Sequence, residues 1–335
     1  VNLSAAAQRP RIPPTLIALS GGIGGAKLVD GFAQARDPAS LLVIANTGDD
    51  FEHLGLRVSP DLDTLIYTLA GLADPERGWG RAGDTWAFME ALAQLGGPIW
   101  FRLGDRDLAL NVWRTGRLRS GAMLAAVTDE LCARLGIRSQ VTPMTDAPLA
   151  TILDTDEGIL GFQEYFVRRQ CRPRVQRIRF ESAGAAPPAA AVAAAMRRGD
   201  AQAIVICPSN PYLSIDPILA VAGVRAWLEN TATPVVAVSP IVGGEAIKGP
   251  TAKLMRELSG ECSALQVARH YDRIADLFVL DERDVKLRPQ IEALGMEVLV
   301  TDIVMRSSDD RMRLARTIDG ALAAERRTRV TKDRA

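Results

Sequence analysis

Short runs of consecutive apolar residues recur along the chain, each ending at a polar or glycine-rich break that leads into helically spaced apolar positions. The first run, 15–19 (TLIAL), lies between Pro13–Pro14 and a cluster of glycines and reads as a buried strand. A helical pattern follows over about 26–36, then a second buried strand over 41–45 (LLVIA) that ends in the polar segment 46–50. Residues 60–72 predict a helix: Ser59 suits the N-cap, Pro60 the first helical position, and Asp61 and Asp63 the first turn. The same grammar returns after residue 200. The run 203–207 (AIVIC) breaks at Pro208, Ser209, Asn210 and Pro211 and leads to a helix through about Trp227. The run 234–238 (PVVAV) breaks at Ser239, Pro240 and a glycine pair, with a helix from about Gly249. Two further strands fall at 276–280 and 297–300, and an amphipathic helix at about 308–324. Strand, loop, helix, repeated in this way, is the signature of a parallel sheet with crossover helices.

Between the two halves the pattern changes. Short strand-like pieces at 150–153 and 175–180 flank an expected helix near 159–168, and an Ala/Pro-rich stretch follows. The expected organisation is an α/β Rossmann-like core over 13–140 and 199–324, with a smaller inserted α+β subdomain over 141–198. Residues 1–12 and 325–335 are expected to be tails, the second a solvated end.

Composition narrows the possibilities. The chain has 335 residues, of which 47% are hydrophobic, and forty basic side chains balance forty acidic ones. A balanced charge argues against a wholly basic, nucleic-acid-binding surface. No stretch approaches the roughly 20 apolar residues of a membrane span, and the first residues lack the apolar core of a secretion signal, so a cytoplasmic protein is expected. The four cysteines are widely spaced without a CxxC pair, which suits reduced thiols. With only His53 and His270 in the chain, any metal must be held mainly by carboxylates, and oxygen ligands select a hard cation such as magnesium (Mg2+).

Several segments carry candidate chemistry. Ser20 to Lys27 (SGGIGGAK) sits between the first strand and first helix, where glycines let a phosphate approach the free N–H groups of a helix N-terminus. It completes neither GxGxxG, since Lys27 stands where the last glycine belongs, nor GxxxxGK[ST]. Asp49 and Asp50 close the second strand, and Asp61 and Asp63 open the next helix. Ligands of open α/β sheets collect beyond the carboxyl ends of the strands, so these acids can share one crevice, where a cation would relieve their repulsion. Each acid taken alone is better served by a cap or turn role; the set together favours the cation site. Gly104–Asp105–Arg106–Asp107 can orient a phosphate or lock a loop. Ser209 and Asn210 can read a nucleotide or stiffen a turn, and Lys248 and Lys253 can supply positive charge to a diphosphate. Arg77, Trp79, Asp84 and Trp86 form a flat and polar group, although indoles more often pack than stack on a ligand.

Taken in order, SGGIGGAKLVDG, NTGDDFEHLGLRVSPDLDT, LGDRDLA, CPSNP, AVSPIVGG with KGPTAKLM, and FVLDERD resemble the 2-phospho-L-lactate transferase family of coenzyme F420 biosynthesis, over about residues 15–323. RGWG and DTW are closer to its bacterial branch; His53, where an aromatic residue is common, and the glycine loop are small departures. The resemblance implies transfer of a phospho-three-carbon acid (2-phospholactate, phosphoenolpyruvate or 3-phosphoglycerate) from a GDP-linked donor to the ribityl hydroxyl of the deazaflavin Fo, with release of GMP. It also implies magnesium dependence and a homodimer. Carried onto this chain, Asp50 and Asp63 would hold magnesium, and Asp50, Asp61 and Asp63 would form the catalytic group. Gly21, Gly22 and Gly24 would line the donor phosphates, Ser209 and Asn210 the guanosine side, and Lys253 the diphosphate. Ser59, Pro60, Thr64 and Trp86 would shape the Fo pocket. Two other classes compete. A related family of nucleotide-sugar-binding regulators shares the glycine opening and the NxxDD strand end but lacks the GDRD and DTW pattern. A nicotinamide-dependent dehydrogenase would require the complete GxGxxG that is absent here.

Overall fold

The computed structural model describes residues 13–247 and 249–332. The strands, in chain order, are β1 (Leu16–Ser20), β2 (Leu41–Ala45), β3 (Phe51–His53), β4 (Leu56–Val58), β5 (Gln140–Pro143), β6 (Ala150–Thr155) and β7 (Gly158–Gly161). They continue as β8 (Val175–Glu181), β9 (Ala203–Ile206), β10 (Val235–Val238), β11 (Ile241–Val242), β12 (Glu245–Ala246), β13 (Leu277–Leu280) and β14 (Glu297–Val300). Seven of them form one sheet in the order β14-β13-β10-β9-β1-β2-β5, every pairing parallel. The unbroken apolar runs LIAL, LLVIA, AIVI and VVAV follow from that arrangement, because a parallel strand covered on both faces has no polar side to present.

Alternate side chains of these strands feed two cores. Leu16, Ala18, Leu41, Val43 and Val205 pack with Phe32 of α1 (Gly22–Ala35), Leu62 and Leu65 of α2 (Pro60–Leu69) and Leu314 of the last helix. Ile17, Leu19, Leu42, Ile44 and Ile204 face the other way and pack with Leu153, Tyr165 and Val175. Leu153 and Val175 belong to a small sheet of order β7-β6-β8 and Tyr165 to the turn that follows β7, so this sheet shares its core with the large one instead of standing apart. β5, at the start of the segment read as an insertion, is one of the two edge strands of the large sheet.

Elsewhere local chemistry redirects the predicted elements. The helix expected near 159–168 begins instead as β7, paired antiparallel with β6 across a tight turn where Gly158 takes φ of 106°; the chain winds only over 162–168, with Glu164–Arg168 as a single wide turn. The helix expected to run to Trp227 is cut into short pieces by Pro217 and by Gly223 at φ of 79°. The last helix, Ser308–Lys332, continues over residues expected to be a solvated end; the tail expected at 1–12 lies outside the described residues. Three helices lie where the residue pattern gave no expectation: α3 (Ala87–Gln94), α4 (Asp105–Arg119) and α5 (Leu124–Arg134).

From β1 the sheet grows one way through β2 to β5 and the other way through β9 to β14. The direction reverses between β1 and β9, so their carboxyl ends flank the crevice where open α/β sheets bind ligands. No described helix is long and apolar enough to cross a membrane.

Candidate active site

A cavity of about 790 Å³ opens at that reversal. Its floor is the glycine turn after β1 and the Pro208–Asn210 turn after β9; one wall is the first turn of α2, and Trp79, Trp100 and Phe101 form the lip. Phe162, Gln163 and Phe166 close it from the small sheet.

The glycine turn is itself the start of α1, with Gly21 as N-cap and Gly22 at φ of 63°. The first amides of α1, unsatisfied within the helix, are thereby placed on the cavity floor. Side chains would not fit there. A Cβ on Gly21 would come within 2.5 Å of Asp61 Oδ2 and 2.6 Å of Ser214 Cβ, and one on Gly24 would run into the Pro208 carbonyl oxygen. Ser209 clamps the two turns together: its hydroxyl donates to the Gly21 carbonyl (2.7 Å) and accepts from the Gly21 amide (3.2 Å). The Asn210 side-chain carbonyl accepts from the Tyr212 and Leu213 amides (3.0 and 3.2 Å), while its Nδ2 is buried without a partner. An amide donor held in that state is suited to a ligand acceptor.

Asn46, the first residue beyond β2, organises the acids. Its Nδ2 reaches Asp61 Oδ2 (2.9 Å), the Leu213 carbonyl (3.3 Å) and Asp49 Oδ1 (3.4 Å), and its Oδ1 accepts from the Gly48 amide (2.8 Å). Burial pushes the Asp61 carboxyl up to about 6, against the pull of Asn46, the Gly22 amide and Ser214. Burial, then the charges of Asp61 and Asp50, hold Asp49 well above the usual carboxylate range. Asp50 is pushed up to about 7 by burial, opposed by Arg57 and by the Ser59 hydroxyl, which donates to its Oδ2 at 2.7 Å. Its other oxygen is buried with no partner. Asp63 is gripped by Arg114 of α4: both of its carboxylate oxygens accept from the guanidinium, which also donates to Asn111 Oδ1 (3.1 Å). Among the described residues, no three His, Cys, Asp or Glu side chains form a ready-made cation cage.

The segment Gly104–Asp105–Arg106–Asp107 proves to be a joint between helices. Asp105 caps α3 through the Ala87 and Phe88 amides (3.1 and 3.0 Å), and Asp84 reciprocally caps α4 through the Arg106 and Asp107 amides (2.8 and 3.2 Å). Asp107 faces the cavity, accepts from the Tyr67 hydroxyl at 2.6 Å, and is pushed up to about 6 by burial and by Asp63. At the lip, the Arg102 guanidinium lies 4.2 Å and that of Arg77 5.1 Å from the Trp86 ring centre; Arg77 is also 5.9 Å from the ring of Trp79, which meets Trp86 edge-on at 6.1 Å.

Nine of the thirteen residues to which the family resemblance gave a role thus line one cavity: Gly21, Gly22, Gly24, Pro60, Asp61, Asp63, Thr64, Ser209 and Asn210. Ser59 and Asp50 stand behind that wall, joined by their hydrogen bond, and Trp86 backs the lip through its two arginines. Lys253 is directed elsewhere. Its ammonium donates to the Pro173 carbonyl (2.7 Å) and to the Tyr165 hydroxyl (3.3 Å) and pairs with Glu257 (2.7 Å), which ties it to the small sheet. Lys248 lies outside the described residues. The sequence reading passed over Asn46, Tyr67, Arg114 and the Phe162–Phe166 wall. Arg114 had a signal: Asp107, Asn111 and Arg114 follow the i, i+4, i+7 spacing of one helix face, a polar stripe where a core stripe is usual.

Comparison with known proteins bears on this geometry. Residues 16–314 match the model of the family described as 2-phospho-L-lactate transferase CofD. A 2-phospho-L-lactate transferase of Methanopyrus kandleri is 42% identical over 308 residues, covering 90% of this chain and 96% of that protein. A phosphoenolpyruvate transferase of Streptomyces griseus is 40% identical over 307 residues with the same coverages. Among solved structures, a UPF0052 family protein of Bacillus halodurans superposes with a TM-score of 0.59 at 16% identity, over 92% of this chain and 99% of that one, and shares the fold. With the family match running through every strand of the large sheet and both turns of the cavity floor, the chain belongs to the 2-phospho-L-lactate transferase CofD family and is a transferase.

Proposed function

We propose that this transferase moves a phospho-three-carbon acid from a GDP-linked donor to the ribityl hydroxyl of the deazaflavin Fo, releasing GMP, as a step of coenzyme F420 biosynthesis. The observation that carries the reading is the convergence of the open N-terminus of α1 with Asp49, Asp50, Asp61 and Asp63 at one sheet reversal. In-line displacement at phosphorus needs positioning and charge neutralisation more than a covalent nucleophile. The ribityl oxygen forms a bond to the phosphorus that carries the acid, the bridging P–O bond breaks, and GMP departs with the bridging oxygen.

The residues divide the work. Amides of Ile23 and Gly24, beside the Gly21 and Gly22 turn, hold the donor diphosphate, and Asn210 Nδ2 and the Ser209 turn face the guanosine side. Pro60 and Thr64, with Ser59 behind them and Trp86 backing the lip, shape the acceptor side. Asp61, held near 6 and in contact with the glycine turn, accepts the hydroxyl proton; a base is most effective when it titrates close to the working pH.

Magnesium fits the donor set. The side chains are carboxylates only, Asp50 keeps a buried oxygen without a partner, and Asp63 and Asp50 repel each other. Asp50 and Asp63 would hold the ion, with donor phosphate oxygens completing its shell, since magnesium is commonly bound by one or two carboxylates plus substrate phosphates. When bound, it would neutralise charge on the diphosphate. The working unit in this reading is a homodimer in the cytoplasm. Incubation with Fo, magnesium and each GDP-linked acid in turn, followed by chromatography, tests the assignment. Equimolar GMP and acid-bearing Fo are expected with at least one donor; folded protein that yields neither with any of the three acids refutes it.

A further inference from the structure

Arg114 is the bulkiest fully buried side chain of the described chain, at 1% exposure, and it lies one layer behind the carboxylates. Its fork closes on both oxygens of Asp63, and its electrostatic partners further include Asp50 and Tyr67. It also contributes to Asp107. Asn111, one turn away on α4, holds the guanidinium through Oδ1 (3.1 Å) and the Asp107 carbonyl through Nδ2 (2.9 Å). A buried cation with this much hydrogen bonding is fixed in place, so it is a permanent charge facing the acids from the protein side.

We propose that Arg114 is a positioning residue that acts as the built-in counter-ion of the acid cluster: it orients Asp63 and keeps the donor-free protein's affinity for a divalent cation low. The inference rests on the magnesium reading above. The geometry gives it direction. A lone divalent ion near Asp50 and Asp63 meets carboxylates whose charge Arg114 already offsets, and must share Asp63 with the guanidinium. A donor diphosphate brings further oxygens and negative charge to the same place, so cation and donor are expected to bind cooperatively, with Arg114 responsible for the weakness of the cation alone.

The test is calorimetric titration of manganese, as the probe ion, into donor-free protein. Arg114→Met is expected to bind manganese at least about tenfold more tightly than wild type, because a buried positive charge has been removed from beside the ion. Arg114→Lys, which keeps the charge but cannot fork onto both oxygens, is expected to stay within about threefold of wild type while its turnover falls. Where Arg114→Met lacks the wild-type circular dichroism and melting transition, the comparison becomes Asp63→Asn/Arg114→Gln against Asp63→Asn. The double variant, which lacks the cation and leaves no carboxylate at position 63 without its partner, is expected to bind manganese more tightly. Equal or weaker binding on loss of the guanidinium, in a folded pair, overturns the proposal. No manganese binding by wild type, even with GDP present, instead removes the metal reading beneath it.

Discussion

On the floor of the cavity, between the ends of β1 and β9, the polar groups are mostly backbone amides, one serine hydroxyl and one asparagine amide. On the wall between α2 and α4 they are carboxylates, held by Ser59, Arg57, Asn46 and Arg114. The floor is specified by what has been left out. Close backbone approach requires that no Cβ stand at Gly21 or Gly24, and its groups carry only partial charge. The wall is specified by charge, and each buried acid is kept in place by a partner that limits its desolvation cost. A floor of that kind suits the fixed geometry of a diphosphate, and a wall of that kind suits proton transfer or a cation.

The contrast predicts different failures on the two sides. The floor is expected to fail by geometry. Gly24→Ala forces the Pro208 turn away from α1, and turnover should fall by about 100-fold or more, as small displacements of bound groups do; steady-state GMP release measures it. On the wall, Asp50→Asn and Asp63→Asn should both abolish turnover but part company in stability. Asp50 already has one oxygen without a partner and titrates near 7, so an amide there should leave the urea midpoint almost unchanged. Asp63→Asn breaks a buried ion pair and should cost about 3 kcal/mol. Equal midpoints in the two variants would remove the distinction drawn between them.

A smaller effect follows from Asp107, whose folded-state carboxyl is raised to about 6. A raised acid contributes stability that is complete below its unfolded value near 4 and is lost as pH rises through 6. Asp107→Asn should therefore gain stability over wild type between about pH 4 and pH 6 and hold that gain to pH 8, by roughly 1 kcal/mol given partial solvent screening. Denaturation at several pH values reads this; a gap that is flat across the range would contradict it. The smallest effect belongs to the lip, where Arg102→Gln loses one cation–π contact and should change turnover by no more than about fivefold.

Much of this was legible in the residues, for identifiable reasons. Continuous apolar runs marked six of the seven strands of the large sheet; β5, with only Val141 and Thr142 between Gln140 and Pro143, has no such run. Glycines and acids at the ends of the first two strands marked the floor and the wall, because chain order already places those ends together in a parallel sheet. What escaped was decided by partners distant in sequence. Nothing near Asp63 announces that Arg114, fifty-one residues later, will hold it. Lys253 looked available to a phosphate until folding brought Pro173 and Tyr165 to its ammonium. His53, at a position where an aromatic residue is common, does pack as one: it lies edge-on against Trp100 and Phe101, and burial lowers its pKa.

The central claim is that the glycine turn holds a diphosphate while the acids of the opposite wall hold the cation that accompanies it. Calorimetric binding of GDP, with and without magnesium, to wild type, Gly24→Ala and Asp50→Asn tests it most directly. The account predicts that magnesium tightens GDP binding to wild type by at least about tenfold, that Gly24→Ala loses binding under both conditions, and that Asp50→Asn keeps magnesium-free binding but loses the enhancement. GDP affinity that is the same in all three proteins, and indifferent to magnesium, would contradict it.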